Sequence, residues 1–154
     1  MYPSGRPITS FFFTLIAMLV SLGSTASAQD DEKPETELPP VESHVLETKD
    51  GVFLHFKYYP GTKGKDSIPI IMLHSMLNVS ASNAVYTKLA SDIQKHMGHA
   101  VIIPDLRGHG KSLEQREGIN RVKIDREKFT KNQFASVVQD IELCKSFLRD
   151  KNDQ

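Results

Sequence analysis

The sequence predicts an α/β fold: a mixed sheet opened by a β-hairpin, continued by a strand–helix–strand unit and followed by a further helix. Three observations carry this. Residues 52–59 form an aromatic-rich, roughly alternating run behind Lys49-Asp50-Gly51, the pattern of a strand entered from a tight turn. Residues 68–73 and 100–103 are apolar with little polar alternation, as in parallel strands covered on both faces. Between them, apolar side chains recur at helical spacing.

From the start of the chain, Arg6 precedes an apolar run at residues 11–20, and small residues then lead to Ala26-Ser27-Ala28. A basic n-region, a short apolar h-region and an A-x-A site make residues 1–28 an expected secretory signal peptide, cut after Ala28. The run is short for a bilayer-spanning anchor. The expected location is therefore secreted or periplasmic. Residues 29–43 are acidic, carry Pro34, Pro39 and Pro40, and have little to bury, so they read as an extended linker. The folded domain is expected over residues 44–154. Equal numbers of acidic and basic residues, 19 each, give no reason to expect a nucleic-acid partner. A single cysteine, Cys144, makes no internal disulfide. Its place in an apolar helical pattern favours burial as a small hydrophobe over a catalytic thiol.

Val45 and Leu46 belong to the first strand, and Pro60-Gly61 end the second, with His55 a structural side chain in its middle. Residues 61–67 are a polar loop. The strand at 68–73 tolerates Pro69 near its start and ends at His74-Ser75-Met76. Ser80, Ser82 and Asn83 offer N-caps for a helix whose expected core face is Val85, Leu89, Ile93 and Met97, with Gly98 as its C′ residue. Strand, helix, strand in this order predicts a right-handed crossover. Pro104-Asp105 stops the next strand, and Gly108 and Gly110 permit a tight positive-φ path after it. The charged stretch 114–128 reads as a solvated excursion. Residues 129–151 read as one helix, with Phe134, Val137, Val138, Ile141, Cys144 and Leu148 on a single face and Asp140 beside it.

Asp105-Leu106-Arg107-Gly108-His109-Gly110-Lys111-Ser112 resembles the Asp-x-Arg-Gly-His-Gly-x-Ser segment that follows the fourth strand of α/β-hydrolase fold enzymes. The resemblance covers about residues 44–150, the N-terminal part of that fold. It implies a supporting loop built from Asp105, Arg107, Gly108, His109, Gly110 and Ser112. It further implies that the end of the third strand is the oxyanion turn, where His74 shapes the backbone and the Met76 N–H stabilises a tetrahedral intermediate. Ser75 stands where the family carries glycine. Asp140 matches an aspartate common in the family's next helix, with Arg107 as a candidate partner.

The catalytic serine of the family lies in a Gly-x-Ser-x-Gly elbow, followed by an acid and a histidine, and no such motif occurs in this sequence. The expectation is a truncated or partial exported α/β hydrolase. Its intact parent would be a serine hydrolase of ester, peptide or related acyl bonds, taking a small-molecule or peptide substrate. No cofactor is expected, and no membrane attachment after signal cleavage. The alternative is a non-catalytic relic, or a binding fragment that uses its open sheet edge for strand addition. The six histidines are scattered and predict no metal site.

Overall fold

The computed structural model describes residues 37–76 and 80–152. The expected signal peptide and residues 29–36 of the linker lie outside them. Strand β1 (Glu42–Glu47) pairs antiparallel with β2 (Phe53–Tyr59), in register from Glu42 opposite Tyr58 to Glu47 opposite Phe53. Gly51 makes the turn at φ 89°, donating to the Thr48 carbonyl at 2.9 Å. The first strand opens two residues before the expected domain start, and Gln94 donates to the carbonyls of Pro39 and Pro60, each at 3.0 Å. The end of the acidic segment is thus part of the folded domain, a correction to the boundary at residue 43.

Strand β3 (Ile70–Ile71) lies parallel to β4 (Val101–Pro104), and β4 lies antiparallel to β2, giving the order β1-β2-β4-β3. Val101, Ile102 and Ile103 are fully buried, because β4 has a neighbour on each side and a helix over each face. Only two residues of the expected strand at 68–73 pair, and Ile68 and Leu73 are exposed. They lie on the edge of the sheet, covered less than a central strand would be. Ile70 and Met72 donate to Ala100 and Ile102, each at 2.9 Å, so residues 69, 71 and 73 face the open side. Pro69 has no N–H to offer there, which blunts the edge.

Helix α1 (Ala84–Asp92) begins at Asn83, whose side chain accepts from the Val85 N–H at 2.9 Å, and continues through a wider turn at Ile93–Met97 to Gly98 at φ 66°. Its core face is Tyr86, Ala90 and Ile93, packed on Val101 and Ile103. Val85, Leu89 and Met97 are exposed instead, a correction of about one residue around the helix. Ala90 is the reason: its small side chain lets the helix lie close to β4.

The segment expected to be solvated is a second hairpin, β5 (Glu114–Glu117) and β6 (Asn120–Lys123), docked on the first. Arg116 N–H donates to the Gly51 carbonyl at 2.8 Å, its guanidinium pairs with Glu47, and Arg121 lies 3.7 Å over the Phe53 ring. Beyond it, the expected single helix is two, α2 (Lys131–Ala135) and α3 (Val137–Asn152). Thr130 and Gln133 form a capping box at the start of α2, and the chain breaks at Ser136, whose hydroxyl donates to the Asn132 carbonyl at 2.9 Å. Asp140, Cys144 and Leu148 form the buried stripe of α3, whereas Phe134 and Val138 are exposed. Against that stripe pack Leu54, Phe56, Tyr58 and Ile102, with the Phe147 ring edge-on to Phe56 and Tyr58. Among the described residues no helix is long and apolar enough to cross a membrane.

Candidate functional site at the carboxyl ends of the parallel strands

The loops leaving β3 and β4 meet beside a cleft of about 780 Å³ lined by Ser80, Gly108, His109, Gly110 and residues 123–127. In open α/β sheets this is where ligands bind, outside the carboxyl ends of the strands. The loop after β4 is fixed by its own side chains. The buried Asp105 carboxylate accepts the Ala81 N–H through one oxygen at 2.5 Å and the Lys111 N–H through the other at 2.9 Å. Ser112, with no exposure, accepts the His55 N–H at 2.8 Å. Gly110 takes φ 52°, and a Cβ there would lie 2.3 Å from the Asp105 carboxylate, so glycine is required on two counts.

Arg107, 5% exposed, ties the first hairpin's turn and α3 to the β4 loop. Its backbone N–H donates to Asp140 at 2.9 Å, Nε and Nη2 reach the other Asp140 oxygen at 3.1 and 2.8 Å, and its two Nη donate to Asp50 at 2.6 and 3.0 Å. Burial pushes the Asp140 carboxyl up from the usual range, and the Arg107 bonds offset part of that. Burial also acts to raise Asp50, but hydrogen bonds from Arg107 and Thr48 more than offset it and hold that carboxyl below its usual range. The sequence offered Arg107 as a candidate partner for Asp140, and the two are paired. It gave no sign of Asp50, which reads as an ordinary turn residue.

His74 is buried, and both ring nitrogens are engaged. Nε2 accepts the Leu106 N–H at 3.1 Å, which puts the proton on Nδ1, and Nδ1–H donates to the Ser75 carbonyl at 2.7 Å. A trans peptide is planar, with its C=O and N–H pointing opposite ways, and no cis peptide occurs among the described residues. Holding the Ser75 carbonyl therefore turns the Met76 N–H away from the His74 ring. The His109 ring, centred 5.0 Å from that of His74, lies 3.0 Å from the Arg107 carbonyl through Nδ1, and its Nε2 lies 2.8 Å from Arg126 Nη1 and 3.2 Å from the Met76 carbonyl. Arginine always donates, so Nε2 accepts and Nδ1 carries the proton. Arg126 Nη1 also reaches the Met76 carbonyl at 3.3 Å. Arg126 was missed in the sequence because charge alone does not separate a solvated side chain from one turned inward. Among the described residues no group of three or more histidine, cysteine, aspartate or glutamate side chains could hold a metal ion.

A mixed sheet with helices on both faces, and a buried histidine turn and a glycine loop on the rim of one cleft, define an α/β fold of the open-sheet kind. The model of the alpha/beta hydrolase fold matches residues 68–154, more than half the chain, and the protein belongs to that family. Among solved structures, an alpha-beta serine hydrolase homologue from Coxiella burnetii is similar at 18% identity and a TM-score of 0.51, covering 77% of this chain and 50% of its own. An alpha/beta hydrolase of unknown function from Agrobacterium tumefaciens aligns at 17% identity and 0.46, covering 71% and 45%. A hydrolase from Agrobacterium vitis aligns at 12% and 0.46, covering 68% and 36%. This chain thus spans half or less of the length of each. No curated protein matches it.

Proposed function

We propose that this chain is the N-terminal part of an exported serine hydrolase acting on ester, peptide or related acyl bonds, with Met76 as an oxyanion donor. The observation that carries the reading is the His74 bridge between the β3 and β4 loops, which orients the Met76 peptide at the strand ends. Attack of a serine on an acyl carbon places negative charge on the former carbonyl oxygen. A pre-set N–H stabilises that charge without reorganising, and one such donor is worth about 10²–10³ in kcat. His74 has no free nitrogen, so its role is to hold the turn, and the proton-accepting histidine belongs to the remainder of the parent. Export rests on Arg6, the apolar run at 11–20 and Ala26-Ser27-Ala28.

The test is to recover the native protein from its own cells, weigh it intact and treat it with a fluorophosphonate. A mass above that of residues 29–154, with label on a serine beyond Gln154, is the expected result. A folded native protein that takes no label overturns the reading. The open side of β3, with Ile68 and Leu73 exposed, supports a second reading in which the chain binds a partner by strand addition. An unlabelled protein that co-purifies with a partner covering β3 favours it.

A further inference from the structure

The excursion after β4 returns to the cleft through Arg126, and its contacts there differ from those of the surface arginines around it. One nitrogen, Nη1, lies 2.8 Å from His109 Nε2 and 3.3 Å from the Met76 carbonyl. His109 is in turn tied to the glycine loop through the Arg107 carbonyl. Met76 is thereby held from both sides. The peptide before it is fixed by His74 through the Ser75 carbonyl, and its own carbonyl accepts from Arg126 at 3.3 Å with His109 Nε2 3.2 Å away; because Nε2 accepts from Arg126, the donor to that carbonyl is the guanidinium. Gly108 makes this approach possible: at φ 75°, its missing Cβ would lie 3.2 Å from Arg126 Cβ and from the Phe129 ring.

We propose that Arg126 is a positioning residue that sets the rotation of the Met76 peptides, with His109 as the acceptor that aims its guanidinium. This rests on the reading of Met76 as an oxyanion donor and adds to it a part supplied by the second hairpin's exit. The β5–β6 excursion then couples the first hairpin, held by Arg116, to the oxyanion turn, held by Arg126.

The test uses the native protein at whatever length its cells produce, with R126A, R126K and R126Q. In the parent, ring ¹⁵N spectra should show His109 Nε2 unprotonated. In R126A the Met76 carbonyl resonance should move and broaden while Val101, Ile102 and Ile103 stay unchanged, and R126K or R126Q should recover part of the parent position. A proton on Nε2 in the parent, or an unmoved Met76 carbonyl in R126A, overturns the proposal. If R126A loses the core resonances, R126M, which fills the space without a donor, takes its place, with the same displacement of the Met76 carbonyl expected and an unmoved one overturning the proposal. With turnover, R126A should lower kcat by about 10- to 100-fold with little change in KM, as expected for a misplaced transition-state donor. Unchanged kcat with a displaced carbonyl overturns the positioning role. A parent that takes no fluorophosphonate while the spectra behave as described sinks the hydrolase reading and leaves the Met76 clamp standing.

Discussion

Two glycines in the same left-handed region separate crowding from backbone strain. Gly110 (φ 52°) faces the Asp105 carboxylate at 2.3 Å, whereas Gly118 (φ 60°) has nothing within 4 Å of its absent Cβ. Gly118→Ala should cost about 1–2 kcal/mol from left-handed strain alone. Gly110→Ala should cost roughly 3 kcal/mol or more, because Asp105 must give up its hold on Ala81 and Lys111. Urea denaturation of the two variants compares them directly, and equal losses would refute the crowding argument. Cys144 makes a second case at this scale. Burial, with Asp140 nearby, pushes its thiol up to about 12, so the folded protein keeps the proton long after the unfolded chain has released it near ~8.5. The raised value means stability is fully present below ~8.5 and is lost as pH rises from there toward about 12, by up to ~1.4 kcal/mol per pH unit. Cys144→Ala should flatten that alkaline loss in denaturation measured from pH 8 to 10. Iodoacetamide at pH 8 should modify the denatured chain and spare the native one.

Helix α1 shows what spacing can and cannot reveal. Its end at Gly98 was legible and its start narrowed to Ser80, Ser82 or Asn83, of which Asn83 is the cap. The buried stripe was not legible, because residues 85–89–93 and 86–90–93 both satisfy helical periodicity and only the approach to β4 chooses between them. Ala90→Leu should therefore cost about 1–3 kcal/mol by overpacking against Val101 and Ile103. Leu89→Lys, on the exposed stripe, should change stability by no more than about 0.5 kcal/mol. Thermal melts that ranked them the other way would restore the face first expected. The β-hairpin and the loop 105–112 were likewise readable, each marked by turn residues that local geometry demands. Ser136, by contrast, gives no local sign that it interrupts a helix, and neither Arg121 nor Arg126 shows in sequence which ring or carbonyl it meets. Those contacts join segments dozens of residues apart, and no periodicity records them.

At the scale of the whole domain, Arg107 joins the first hairpin, the β4 loop and α3 through Asp50 and Asp140. Removing it strands Asp140, which has no exposure, so Arg107→Ala should cost about 3–5 kcal/mol. Asp50→Ala should cost far less, about 1 kcal/mol, since that side chain is 36% exposed. Chemical denaturation of both variants and of the parent decides it, and similar losses would mean that Asp140 is held by something other than Arg107. The sheet order has a further consequence, in time. Strand β2 lies between β1 and β4, so a growing chain that has reached residue 95 can complete only the first hairpin. The centre of the sheet waits for Val101–Pro104 to be synthesised, and the arginine bridge waits another 36 residues, until Asp140 emerges. During that interval β2 has an open flank on the ribosome, and whatever shields nascent chains must cover Phe56 and Tyr58 until β4 and then α3 arrive.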